Sequence, residues 1–259
     1  MTGAVGVVVV SYNSAEDLPS CLAALMAADG VARVVVVDNA SSDTSREVVL
    51  QNSDGRVELL TLETNTGFAG GCNRGFAAIA EDCEIVAFVN PDVAVAHDCL
   101  RLAAEALAAD PGLAGVAPRL MRGDGVTVDS VGQVLDPVTL EVRDRGYGKA
   151  LVPELLSPRP VLAACGALAV FRRDALVDVA EREGPWAEQY FCFWEDRARV
   201  ASGQCRSPDF QPPRRGGGPR SRRRRHRGSW SSALAETGRT RGLRHHQSLD
   251  DPDSTPQYP

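Results

Sequence analysis

Three runs of β-branched residues, each ending in small polar side chains, constrain this chain more than any other feature. They are VGVVVVSYN at residues 5–13, VVVVDN at 34–39 and VAFVNPDV at 86–93. A run apolar at successive positions, rather than at alternate ones, is a strand covered on both faces, as in parallel sheets clothed by helices. Ligands of open parallel sheets bind at the carboxyl edge, and all three runs deliver their polar residues there. The pattern therefore predicts a nucleotide-sized site at that edge, with Asp92 as a carboxylate at its mouth.

The segments between the runs have helical spacing. Leu18, Cys21, Leu22 and Leu25 fall on one face, with Asp17 or Ser14 as N-cap and Pro19 tolerable in the first turn. Strands are predicted at 33–37, 57–62, 85–89 and 113–117, and helices at about 44–50 and 69–80 and around Leu100, Ala103, Ala104 and Leu107. Strand and helix alternate with short links, which argues an α/β fold: a doubly wound, mostly parallel central sheet with right-handed crossovers. From 126 to 147 alternating apolar residues broken by Gly, Pro and Asp predict hairpins laid over the sheet. Residues 161–171 read as an apolar strand pair around Cys165-Gly166-Ala167, followed by a short helix at 173–180.

The net charge of −6 conceals two unlike parts. Residues 1–196 carry 14 basic against 29 acidic side chains, whereas 197–259 carry 14 against 5. Only 12 of the last 63 residues are apolar, too few to offset the entropy of ordering them, so 197–259 reads as a disordered Arg/Pro/Gly-rich tail. A nucleic-acid-binding arm would interleave aromatics with the arginines, and only Trp230 stands near them. The seven cysteines form no CxxC pair, several lie in apolar stretches, and no apolar run approaches the ~20 residues that span a bilayer. These features point to a reduced cytoplasmic protein, compatible with peripheral contact at the inner membrane face.

Taken in order, VVVVSYNSAEDLPSCLAAL, VVVVDNASSDTS, NTGFAGGCNRGF, VNPDV, CGALAVFRRDAL and YFCFWED resemble the inverting family 2 glycosyltransferases of GT-A fold. Among these they look most like rhamnosyltransferases of cell-wall and surface polysaccharide assembly. The resemblance covers residues 5–196, about three quarters of the chain, with a nucleotide-binding half to about 118 and an acceptor half from about 119. NTGFAGG is not a dinucleotide fingerprint, because it does not follow the first strand with GxGxxG spacing.

The resemblance implies a site. Ser11, Tyr12 and Asn13 line the nucleotide, Asp38 accepts a hydrogen bond from the base and Asn39 steadies that turn; DNASSDTS would equally make a plain turn. Asn65 and Gly67 belong to a loop closing over the nucleotide, or to a simple helix entry. Arg74 reaches a phosphate or, the slightly favoured reading, lies in solvent. Asn90-Pro91-Asp92 stands where the family has its DxD motif: Asp92 would ligate Mg²⁺ or Mn²⁺ bridging the diphosphate, and Asn90 would meet the ribose or a metal-bound water. A Pro-Asp turn is the bland alternative. Asp196 is the expected catalytic base, with Glu195 as the alternative. Phe193 and Trp194 wall the acceptor or fill core, and Cys165 and Gly166 lie beneath the acceptor or simply pack tightly.

The implied function is transfer of a sugar from a nucleotide-sugar donor, with NTGFAGG tilting towards dTDP-rhamnose, to a polysaccharide or lipid-linked acceptor. A second reading is a nucleotide-sugar-binding protein that turns over poorly. After Asp196 the chain reads RARVASGQCRSPDFQPPRRGGG where the family continues with an amphipathic Leu/Arg helix. So abrupt a change is what a shifted reading frame in a GC-rich gene would produce. Translating the other frames of the locus tests that hypothesis, and a Leu/Arg helical pattern in neither would sink it.

Overall fold

A computed structural model describes residues 4–52, 54–79, 81, 83–190 and 204–206. The first strands are β1 (Val5–Ser11), β2 (Val31–Asp38), β3 (Val57–Thr61), β4 (Ile85–Val89) and β5 (Leu113–Val116). Between them come α1 (Leu18–Ala27), α2 (Ser45–Gln51), α3 (Gly67–Ala78) and α4 (Cys99–Ala109). Short elements follow: β6 (Leu120–Met121), β7 (Val128–Ser130), β8 (Gln133–Leu135), β9 (Val142–Asp144), α5 (Pro153–Leu156) and β10 (Pro160–Val161). After these come β11 (Leu168–Arg172), α6 (Arg173–Val179), a 3₁₀ turn at Glu188–Tyr190 and β12 (Gln204–Arg206).

The principal sheet runs β10-β12-β5-β11-β4-β1-β2-β3. Its half β4-β1-β2-β3 is parallel throughout, and Ser11 of β1 pairs in register with Asp38 of β2. Successive side chains of a strand face opposite ways, so the valine runs feed two cores. Val5, Val7 and Val9, with Val34 and Val36, pack against Leu18, Leu22 and Leu25 of α1 and Leu100 and Leu107 of α4. On the opposite face α3 lies so close to β1 that a Cβ on Gly71 would strike Val10, and one on Gly75 would overlap Val8. Helices thus cover both faces, as the buried runs require.

Two details depart from the sequence reading. The strand pair expected over 161–171 is not a pair: β10 bonds to β12, whereas β11 inserts antiparallel between β4 and β5. The insertion is possible because Gly115 has no side chain where the Phe171 ring crosses β5. The hairpins expected over 126–147 do form, β8 with β9 inside that stretch and β7 with β6, the latter just ahead of it, both antiparallel. Within the stretch read as a tail, Gln204–Arg206 forms β12, parallel to β5. The described residues all fall within one compact unit, Met1–Arg222. Among the described residues no helix is long and apolar enough to cross a membrane.

Candidate functional site

The carboxyl ends of β4, β1 and β2 lie side by side and bring Asn90, Ser11 and Asp38 together. Ser11 and Asp38 are each 1% exposed. Ser11 Oγ, Asp38 Oδ1 and Asn90 Oδ1 are all buried without a hydrogen-bond partner among the described residues. An unpartnered buried polar atom costs ~1–3 kcal/mol, and three on adjacent strand ends make this edge the candidate site for a polar ligand. Asp38's other oxygen, Oδ2, accepts from Arg46 Nε at 2.6 Å and from the Ser41 N–H at 3.3 Å. Arg46 carried no signal in the sequence reading; its position as the second residue of α2, facing Asp38, follows only from the fold.

The loops after β1 and β2 are zippered together. Asn13, in left-handed backbone at φ 51°, accepts from the Ser42 N–H at 2.8 Å, and its own N–H donates to Ser41 Oγ at 3.0 Å. Asp43 takes the Ala15 N–H at 3.1 Å, and Ser45 Oγ takes the Ser14 N–H at 2.8 Å. These bonds explain the polar content of SYNS and DNASSDTS: Asn13's side-chain oxygen holds the neighbouring loop, while Tyr12 is half-buried beside it.

Asn39, fully buried, grips the entry of α3. Its Nδ2 donates to Gly67 O at 2.8 Å, and its Oδ1 accepts from the Thr66 N–H at 2.9 Å and Thr66 Oγ1 at 3.2 Å. Asn65 Oδ1 caps the Gly67 N–H at 2.9 Å, and Gly67 sits at φ 74°, where a Cβ would be strained. Asn65 and Gly67 therefore do form the helix entry, and that entry is tied to the turn after Asp38. Arg74, two turns further along, is half-buried and ion-paired with Glu188.

Asn90-Pro91-Asp92 is a tight turn closed by the Val93 N–H on Asn90 O at 3.1 Å, with Pro91 pre-set for its corner. Asn90 N–H donates to Ala167 O at 2.9 Å, which brings Cys165 and Gly166, both half-buried, to the same edge. Beneath the turn Cys21 Sγ donates to Asn90 O at 3.7 Å, and burial, reinforced by the Asp92 charge, pushes its thiol up to about 12. Asp92 itself is exposed. Among the described residues no three His, Cys, Asp or Glu side chains cluster as a metal site would need. Asp92 with the unpartnered Asn90 oxygen fits a hard cation only as one completed by oxygens of the ligand. Glu195 and Asp196, with Phe193 and Trp194, lie outside the described residues.

The sequence profile described as glycosyl transferase family 2 matches residues 6–179, which include every one of these strand ends. The chain belongs to glycosyl transferase family 2. It is 25% identical over 213 residues to the low-salt glycan biosynthesis hexosyltransferase Agl10 of Haloferax volcanii, a match spanning 78% of this chain and 65% of that protein. It is 36% identical over 95 residues to the succinoglycan biosynthesis protein ExoO of Rhizobium meliloti, spanning 36% of this chain and 27% of that one. A mannosyltransferase from Pyrobaculum calidifontis, solved with GDP-Man and Mn²⁺, superposes with a TM-score of 0.56 at 22% identity over 81% of this chain and 55% of that chain. This chain thus spans less than two thirds of each of these proteins, and the structural likeness establishes the GT-A fold.

Proposed function

We propose that this family 2 chain is an inverting glycosyltransferase of glycan assembly, moving a sugar from a nucleotide-sugar donor to a polysaccharide or lipid-linked acceptor. The observation that carries the reading is the trio Ser11 Oγ, Asp38 Oδ1 and Asn90 Oδ1, buried and unpartnered on three adjacent strand ends. A nucleoside supplies what such a trio lacks: N–H donors on its base and hydroxyls on its ribose. The names of Agl10 and ExoO, both in glycan biosynthesis, support the reaction class. Within it, dTDP-rhamnose remains the donor to test first.

Each residue has a defined task. Asp38, oriented through Oδ2 by Arg46, offers Oδ1 to the base; Ser11 and Asn90 take the nucleoside's remaining polar groups. Asp92, with Asn90, would hold a divalent cation against the diphosphate, as the Mn²⁺ and GDP-Man found together in the Pyrobaculum enzyme suggest. Such an ion supplies charge stabilisation to the departing nucleoside diphosphate. Asp196, or Glu195 beside it, takes the proton of the attacking acceptor hydroxyl, which must approach C1 from the face opposite the leaving group.

Calorimetry with UDP, dTDP and GDP in the presence of Mn²⁺, followed by turnover of a sugar-nucleotide panel, tests this. Asp196→Asn is expected to keep nucleotide affinity and abolish turnover. Absence of binding by all three nucleotides would refute the reading, and normal turnover in Asp196→Asn would remove Asp196 as the base.

A further inference from the structure

Asn73 is 3% exposed in the middle of α3, and every polar atom of its amide is used on one distant segment. Oδ1 accepts the Trp186 N–H at 3.0 Å, and Nδ2 donates to Trp186 O at 2.9 Å and to Glu188 Oε1 at 3.1 Å. A side-chain amide that takes both polar groups of one residue imitates a strand neighbour, so Trp186 is held in place and in orientation together. Glu188 is tied again by its ion pair with Arg74, the next residue of α3. The other half of the contact is built to match. Gly184 has φ 129°, and any Cβ there would run into Asn73 Oδ1. The Trp186 ring meets Phe88 of β4 with centroids 4.1 Å apart, two residues before Asn90.

Segment 184–188 is thereby fastened to the two elements that carry the donor site: α3, whose entry is gripped by Asn39, and β4, which ends at Asn90. Helix propensity does not explain Asn73, since Asn is a mediocre interior helix residue. Nor does core packing, since an apolar side chain would fill the space without the burial cost of an amide. What the amide adds is a fixed backbone position for Trp186, which stands ten residues before Asp196.

We infer that Asn73 is a positioning residue for the transfer step: through Trp186 and Glu188 it sets segment 184–188, which in sequence precedes the proposed base Asp196, against the donor site. The inference rests on the proposed transferase reading and adds to it a residue that touches neither donor nor acceptor.

Two variants approach the contact from opposite sides. Asn73→Asp keeps the shape and one acceptor, loses the donor to Trp186 O and places a carboxylate against Glu188. Gly184→Ala inserts the Cβ that strikes Asn73. Both are assayed for binding of UDP and dTDP by calorimetry and for turnover of whichever sugar nucleotide the wild type consumes. The expected result is a kcat at least tenfold lower in each, with nucleotide affinity within threefold of wild type, which also certifies the fold of the donor half. A merely structural Asn73 would instead lose affinity and kcat in parallel, and that outcome, or an unchanged kcat in a variant that binds nucleotide, overturns the inference. Should Asn73→Asp not fold, Gly184→Ala decides alone. A wild type that turns over no sugar nucleotide refutes the transferase reading itself, and the inference with it.

Discussion

Arg46 Nε donates to Asp38 Oδ2 at 2.6 Å, and this leaves Oδ1 of the same buried carboxylate without a partner among the described residues. Arg46 is 40% exposed at its side chain whereas Asp38 is 1% exposed, so the pair is a buried acceptor steered by a surface cation. The arginine fixes the carboxylate through one oxygen; on the proposed function the other is the one that meets the donor.

Asp38→Ala should therefore cost nucleotide affinity more than it costs stability. A hydrogen bond to a charged group contributes ~1.5–3 kcal/mol, which corresponds to roughly a 10- to 150-fold weaker Kd. Titration of UDP and dTDP into wild type and variant reads this directly. An unchanged Kd would take Asp38 out of the binding site and leave it as a turn residue.

The parallel half of this fold was legible in the sequence because its signals are local. Val86 to Val89 is apolar at every position and stops at Asn-Pro, so β4 could be bounded to the residue at Ile85–Val89. What was not legible depends on partners far away in sequence. Helix α3 begins at Gly67, two residues before its apolar pattern, because Asn39 holds Thr66 and Gly67 from another loop. The antiparallel insertion of β11 turns on Gly115 meeting Phe171, a pair that periodicity cannot join. At the site, the polar residue types at the strand ends could be read; the division of labour could not. Arg46 and Asn73 act through contacts eight and over a hundred residues away, and neither belongs to a local pattern.

Ala40 occupies left-handed backbone at φ 63°, immediately after Asn39. A Cβ there costs roughly 1–2 kcal/mol, against about 0.4–1 kcal/mol of extra unfolded-state entropy for glycine. The strain outweighs the entropy, so Ala40→Gly should raise Tm by a few degrees in a thermal melt. A lower Tm would mean that the loop relaxes away from this conformation.

At Gly75 two effects oppose each other. Alanine improves helix propensity by about 1 kcal/mol, but its Cβ would overlap Val8 Cγ1, and overpacking of this kind costs ~1–3 kcal/mol. Packing is expected to win, with Gly75→Ala less stable in urea and Val8→Ala combined with it recovering part of the loss. Additive destabilisation by the two changes would show that the Gly75–Val8 contact is not the cause.

Cys21 and Cys99 are buried, and burial as the leading cause pushes both thiols up to about 12. Almost no thiolate exists at either position at pH 8, and the thiolate is the nucleophile. Iodoacetamide at that pH should modify half-buried Cys165 in the native protein well before Cys21 or Cys99, as followed by peptide mass mapping. Early labelling of Cys21 would indicate that the turn at Asn90, which covers it, opens readily.

Asp92 is the sharpest test of metal involvement because it would act almost alone. With no cluster of three candidate ligands among the described residues, the protein by itself should hold Mn²⁺ weakly. A nucleoside diphosphate adds the missing oxygens, so ion and nucleotide should each strengthen the binding of the other by the same factor. Adding Mn²⁺ is expected to tighten UDP or dTDP binding about tenfold or more, roughly 1.4 kcal/mol of coupling, and EDTA should reverse it. Asp92→Ala should remove that coupling while leaving the metal-free nucleotide affinity close to wild type. Coupling that survives in the variant would place the ion on other residues and return Asn90-Pro91-Asp92 to the role of a turn closing β4.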